Sequence, residues 1–202
     1  MKIGILAFGS LVDDSGSELL KHIGAHKVEV ETHFKVEYFR SSKKRNGAPT
    51  LVPVEKGGGS VRAYILPLKN ISLSEAKNML YRREINEVGK VSKSYSHSDN
   101  PSKNKTIIEE HKNLHGFDVL LTARLQSNLD EVTPEILANL AIESAKGETL
   151  KENRDGITYL KRNIRNGIVT PLTGEYRQHI LEKLGVKNLE EAIQKLKDSN
   201  QS

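Results

Sequence analysis

The chain has no cysteine and no tryptophan among its 202 residues, and aromatic residues make up only 5% of it. Without cysteine there is no disulfide, no thiolate zinc site and no Cys nucleophile, and a reducing cytoplasm is the expected setting. With so few rings, a stacking platform for single-stranded nucleic acid lacks material. No stretch approaches the ~20 consecutive apolar residues that a membrane-spanning helix needs. The N-terminus carries one Lys and a brief apolar run broken by a Gly-Ser turn, with no Ala-x-Ala-type site after it, and does not read as a signal peptide. A soluble, cytoplasmic protein with no membrane partner is expected.

Several chemical signatures are also missing. "GILAFG" fails the dinucleotide pattern G-x-G-x-x-G, and no Gly-Lys-Ser/Thr phosphate loop occurs. The seven histidines, His22, His26, His33, His97, His111, His115 and His179, show no H-E-x-x-H or related spacing and read as surface or loop residues, so no metal is expected. Ser10 follows a glycine, but "AFGSL" lacks the second Gly of a nucleophile elbow. The net charge of +5 invites a nucleic-acid reading. Its basic residues are spread out, apart from Lys43-Lys44-Arg45, Arg82-Arg83 and the stretch Lys151 to Arg165. Such an excess reads as a solvated basic face and speaks against a nucleic-acid partner.

What is present is a β-rich first third followed by helices. The run Ile5 to Phe8 between Gly4 and Gly9 reads as a short buried strand ending in a tight turn, and a short helix is expected over Glu18 to Ile23, with Ser15 or Ser17 as N-cap and Gly24 as stop. "KVEVETHFKVEYF" alternates as one half-buried strand, with Val28, Val30, Thr32, Phe34, Val36 and Tyr38 on one face. "RSSKKRNGAPT" is a polar loop with an Asn-Gly turn signal, and the strands Leu51 to Val54 and Val61 to Leu66 read as a hairpin across the glycine turn. Ser72 and Glu75 form a capping box for a helix ending near Ile85 to Gly89. Residues 90–115 read as a polar loop, with "KTIIEEHKNL" as a short helix at most, and "FDVLLTARL" returns as a buried strand. Thr133 caps a helix with Pro134 at its first position, and the remainder is helical. Strands early and helices late predict an α+β fold: a mostly antiparallel sheet or small β-barrel flanked by helices. The length suits one domain with an appendage, here 1–130 with a helical C-terminal extension over 131–202 packed on it.

From the residues alone, two features carry chemistry, and each has two readings. The Phe8-Gly9-Ser10-Leu11 turn is either the corner of a packed strand or a backbone cradle for an anion. Glu84, late on an amphipathic helix and preceded by "YRR", is either part of a surface ion-pair network or a partly buried carboxylate beside two guanidinium groups.

The order of the motifs adds a resemblance. Strand, "FGSL", helix, alternating strand, "RSSKKRNGAPTLVPV", turn, "VRAYILPL" and helix "SLSEAKNMLYRREI" together resemble the γ-glutamylcyclotransferase-like superfamily, including its ChaC-type and γ-glutamylamine members. The likeness covers residues 1 to about 95, and "FDVLLTARL" fits the family's closing strand. It implies a γ-glutamylcyclotransferase-type lyase or acyltransferase that converts a small γ-glutamyl amine or peptide to 5-oxoproline and free amine. The amides of the turn matching Phe8, Gly9, Ser10 and Leu11 would hold the substrate's α-carboxylate. Glu84 would be the general acid and base, and no metal or other cofactor would be needed. Phe8 stands where the family usually has Tyr, and the Gly-Tyr that often follows the family's Glu is absent, the first later Tyr being Tyr95. A binding or interaction module of the same fold with altered catalysis is therefore the alternative. Residues 90–115 would form a mobile flap bringing Tyr95 or His97 toward the leaving group, or else a passive insertion.

Overall fold

In the computed structural model, which describes residues 1–200, the chain forms two compact units, each assembled from two chain segments. The first comprises Met1–Thr32 and Arg62–Gln126; the second comprises His33–Val61 and the chain from Ser127 onward.

The first unit is a mixed five-stranded sheet with helices. β1 (Ile3–Ala7) runs through its middle with all five residues buried, as expected of a strand covered on both faces. α1 (Ser17–Leu20) and the edge strand β2 (Val28–Glu31) follow. The neighbours of β1 come from the unit's second segment, from the strands Arg62–Pro67 and Phe117–Arg124.

The second unit begins with a hairpin of β3 (Lys35–Ser42) and β4 (Ala48–Val54), paired antiparallel from Lys35↔Val54 to Ser42↔Ala48. Its turn uses the Asn-Gly signal: Asn46 and Gly47 take φ of 51° and 81°, conformations that these two residue types tolerate best. The chain then returns to the first unit. β5 (Arg62–Pro67) pairs antiparallel with β1 (Ile5↔Leu66) and with β2 (Val30↔Ala63). α2 (Leu73–Glu84) begins with the expected capping box, Ser72 and Glu75 each satisfying the other's backbone N–H. β6 (Ile107–Leu114) and β7 (Phe117–Arg124) close the sheet, β7 lying parallel to β1 (Ile5↔Leu121) and antiparallel to β6. Ile3, Ile5, Ala7, Leu66, Val119 and Leu121 share a core with Leu19 of α1 and with Ala76 and Leu80 of α2. On the opposite side of β1, Gly4 leaves room for its neighbours: a Cβ there would lie 2.9 Å from both Ile65 Cγ2 and Leu120 Cδ2, so those side chains would have to shift.

Back in the second unit are α3 (Pro134–Ser144), α4 (Glu148–Lys151), α5 (Gly156–Arg165), α6 (Thr173–Leu184) and α7 (Leu189–Ser199). Thr133 caps α3 through a 3.2 Å bond from the Ile136 amide, with Pro134 opening the helix. A two-stranded hairpin is marginal alone, and this one is sealed by helices. The Tyr38 ring meets Tyr159 of α5 and Tyr176 of α6 edge to face at 6.4 and 5.3 Å.

Five sequence expectations are corrected. The fold is α+β and its larger sheet is mostly antiparallel, as expected, with β1 and β7 as its one parallel pair; the barrel alternative fails, because the order β2-β5-β1-β7-β6 is open with edges at β2 and β6. The single strand expected over residues 28–38 breaks at Thr32–Phe34 into β2 and β3, which pair in different sheets. The alternation of residue types in the sequence says nothing of which partner each half finds, and in β2 only Val30 is even half-buried. In β3 the alternation fails outright, since Val36, Glu37 and Tyr38 are all buried. Glu37 is tolerated there because its carboxylate accepts from Thr170 Oγ1 (2.6 Å), the Tyr38 amide (2.9 Å) and the Leu172 amide (3.3 Å). The hairpin expected across the glycine turn does not form: β4 pairs with β3, and β5 with β1 and β2. Residues 107–114, expected as loop or short helix, are strand β6, an edge whose polar residues conceal it. The first helix is also shorter than expected, spanning Ser17–Leu20 with Gly16 at its N-cap. The chain passes from the first unit to the second between Gln126 and Ser127, and the β3–β4 hairpin groups with the C-terminal helices. Among the described residues, no helix is long and apolar enough to cross a membrane.

Candidate functional site

β1 ends at Ala7, Phe8 is extended (φ −140°, ψ 167°), and Gly9–Leu11 form a single 3-10 turn. Gly9 takes φ of 61°, a left-handed conformation in which a side chain would be strained. Leu11 is buried in the core and pins the turn from below. Val12 donates to the Gly9 carbonyl (3.3 Å) and Asp14 to the Ser10 carbonyl (3.1 Å), which fixes the path of the chain beyond it. The amides of Gly9 and Ser10 precede the first i→i+3 bond and have no acceptor within the turn.

α2 brings three charged side chains, Arg82, Arg83 and Glu84, in its last turn. Arg82 points inward. It grips Glu18 of α1 with two nitrogens (Nε at 2.9 and 3.1 Å, Nη2 at 2.7 Å) and donates from Nη1 to the Lys93 carbonyl at 3.2 Å. Glu18 also accepts from the Gly89 amide at 2.9 Å. Hydrogen bonds from Arg82, assisted by the Gly89 amide and opposed by burial, hold the Glu18 carboxyl below the usual carboxylate range. One ion pair thus ties α1, α2 and the chain after α2 together.

Arg83 points toward the turn. Its Nε donates to the Asp14 carbonyl (2.9 Å), its Nη2 to Ser10 Oγ (3.3 Å) and its Nη1 to Glu84 Oε1 (2.6 Å). The Arg83 and Glu84 side chains are 12% and 20% exposed. Neighbouring residues of a helix do not normally face each other. At the C-terminal end of α2, the long Arg83 side chain nonetheless reaches both its neighbour and the loop after β1.

The residues expected in a flap are arranged differently from one another. The Tyr95 amide donates to Asn78 Oδ1 (2.8 Å) and its hydroxyl to the Ile108 carbonyl (3.2 Å), while its ring lies 5.7 Å from that of Tyr81. Tyr95 is thereby tied to α2 and β6. His97 is largely exposed, 3.3 Å from the Asp99 carboxylate. Among the described residues, no hydrogen bond or ion pair links either side chain to Glu84. No group of three or more His, Asp or Glu side chains among them is placed to hold a metal ion.

The structure therefore connects Ser10 of the turn to Glu84 through Arg83, and leaves Tyr95 and His97 apart from that link. The sequence placed two guanidinium groups near Glu84 but gave no sign that they diverge. Glu18, 64 residues from Arg82, carried no signal at all. No family model matches the chain. No curated protein matches it in sequence either.

Proposed function

We propose that this protein closes the γ-glutamyl group of a small γ-glutamyl amine or peptide into 5-oxoproline, releasing the free amine. The observation that supports this reading best is the Arg83 guanidinium spanning Ser10 Oγ and Glu84 Oε1, which puts a carboxylate beside a turn of the kind the resemblance associates with γ-glutamyl recognition. In the proposed reaction the amides of the Phe8 to Leu11 turn hold the substrate's α-carboxylate. Glu84 takes a proton from the substrate's α-amino group as its nitrogen attacks the γ-carbonyl carbon. The new C–N bond closes the ring, the original amide C–N bond breaks, and Glu84 returns the proton to the departing nitrogen. The nucleophile belongs to the substrate, so attack is intramolecular and carries the corresponding advantage in effective concentration. Assay of 5-oxoproline across γ-glutamyl amino acids, γ-glutamyl amines and glutathione tests the proposal, with turnover expected to be unaffected by a metal chelator.

A second reading is favoured by Phe8, whose ring offers no hydroxyl to orient a substrate: a module that binds the γ-glutamyl group or 5-oxoproline without turning it over. Thermal stabilisation by 5-oxoproline or glutamate, with no product from any γ-glutamyl compound, would select it.

The chain between α2 and β6 is proposed as a cover for this site. Tyr95 anchors its first part, so any movement is confined to the exposed stretch around His97 to Asn104. Limited proteolysis within that stretch is expected to slow at saturating 5-oxoproline; unchanged cleavage would make it a passive insertion.

A further inference from the structure

We infer that Arg83 is the positioning residue of this site, a strut that fixes the turn and assigns different roles to the two oxygens of Glu84. This rests on the reading of Glu84 as the proton carrier. The three nitrogens of the guanidinium are all engaged: Nε with the Asp14 carbonyl, Nη2 with Ser10 Oγ and Nη1 with Glu84 Oε1. Two of these contacts lie in the loop that follows β1, one at each end of the Ser10–Asp14 backbone bond. The third captures a single carboxylate oxygen. Glu84 Oε2 has no hydrogen-bond or ion-pair partner among the described residues, and the side chain keeps 20% of its exposure. Oε1 is therefore the anchored oxygen and Oε2 the one that takes and returns the proton. Only a planar fork of fixed geometry can make all three contacts at once; an ammonium at the end of a Lys side chain is a point charge without that fork. Each nitrogen of Arg83 donates to the protein, and Arg83 acts on the reaction through Glu84 and the turn.

Two variants, Arg83→Lys and Arg83→Ala, test this, with Lys77→Met as a control that removes a different cation from α2, the partner of Glu110. With the γ-glutamyl substrate that the wild-type protein turns over best, both Arg83 variants should lose kcat by up to about a hundredfold, the scale set by a misplacement of about 1 Å. KM should change little, the control should stay near wild type, and millimolar guanidinium should raise kcat of Arg83→Ala alone. Amide hydrogen exchange supplies a readout that needs no activity. The Val12 and Asp14 amides, bonded to Gly9 and Ser10, should exchange about tenfold faster in both Arg83 variants, while amides at the centre of β1 and β7 stay protected. A rise in KM with kcat intact would make Arg83 a substrate-binding residue, and unaltered exchange at Val12 and Asp14 would remove the strut. Should the wild-type protein make no 5-oxoproline, the proposed function fails by itself, and the exchange rates alone then decide whether Arg83 holds the turn.

Discussion

Replacing Glu84 with Gln is expected to lower 5-oxoproline formation by about 10²- to 10⁴-fold, the usual contribution of a positioned general acid or base. The amide is nearly isosteric, and its oxygen can still accept from Arg83 Nη1, so the link to Ser10 is retained. What disappears is the capacity to take a proton from the substrate's amino group and deliver it to the leaving nitrogen. The loss should therefore fall on kcat, with the melting temperature and the binding of 5-oxoproline close to wild type. Steady-state kinetics beside a thermal melt separate this from misfolding. Full turnover by Glu84→Gln would show that another group moves the proton.

The largest effect on stability is expected at Arg82. Arg82→Met removes one partner of an ion pair whose side chains are only 7% and 15% exposed, leaving the Glu18 carboxylate with the Gly89 amide as donor. Breaking a buried pair on one side costs about 3–5 kcal/mol, and the lower end applies here because water still reaches part of Glu18. A denaturant titration checks this, and a loss under about 1 kcal/mol, the range of exposed pairs, would show that the pair contributes little. The same pair predicts a pH dependence. The Glu18 carboxyl lies lower in the folded chain than in the unfolded one, so its contribution is complete above the usual carboxylate range and is lost as pH falls through the lowered folded value. Wild type should lose more stability on acidification than Glu18→Gln, and equal losses would contradict the assignment. Because Arg82 also holds the Lys93 carbonyl, its replacement should loosen the chain leading to Tyr95.

Local signals in the sequence were legible where the answer is local. The Ser72–Glu75 box and the Thr133–Pro134 start each involve neighbouring residues, and the helices begin where those residues say. "FDVLLTARL" is apolar because β7 lies inside the sheet. Partner choice was not legible. The turn at Thr32–Phe34 sends one alternating run into two sheets, and the glycines after β4 separate strands that pair elsewhere. β6 was hidden because an edge strand needs apolar residues only where it meets the core, and after Ile108 its residues are largely polar. At the candidate site, Gly9 and Glu84 were identifiable by type and order, whereas the opposite directions of Arg82 and Arg83 depend on what lies on either side of α2: Glu18 for one, Ser10 and Asp14 for the other. No spacing rule relates residues so far apart in the chain.

The most direct measurement is a product analysis in water enriched with oxygen-18, using the wild-type protein and γ-glutamyl amines, γ-glutamyl amino acids and glutathione. Ring closure by the substrate's own amine predicts 5-oxoproline and free amine in equal amounts from at least one of these compounds, with no heavy oxygen in the product. Glutamate carrying heavy oxygen would mean hydrolysis by water, and no 5-oxoproline above the enzyme-free rate from any compound would contradict γ-glutamyl cyclisation as the activity of this protein.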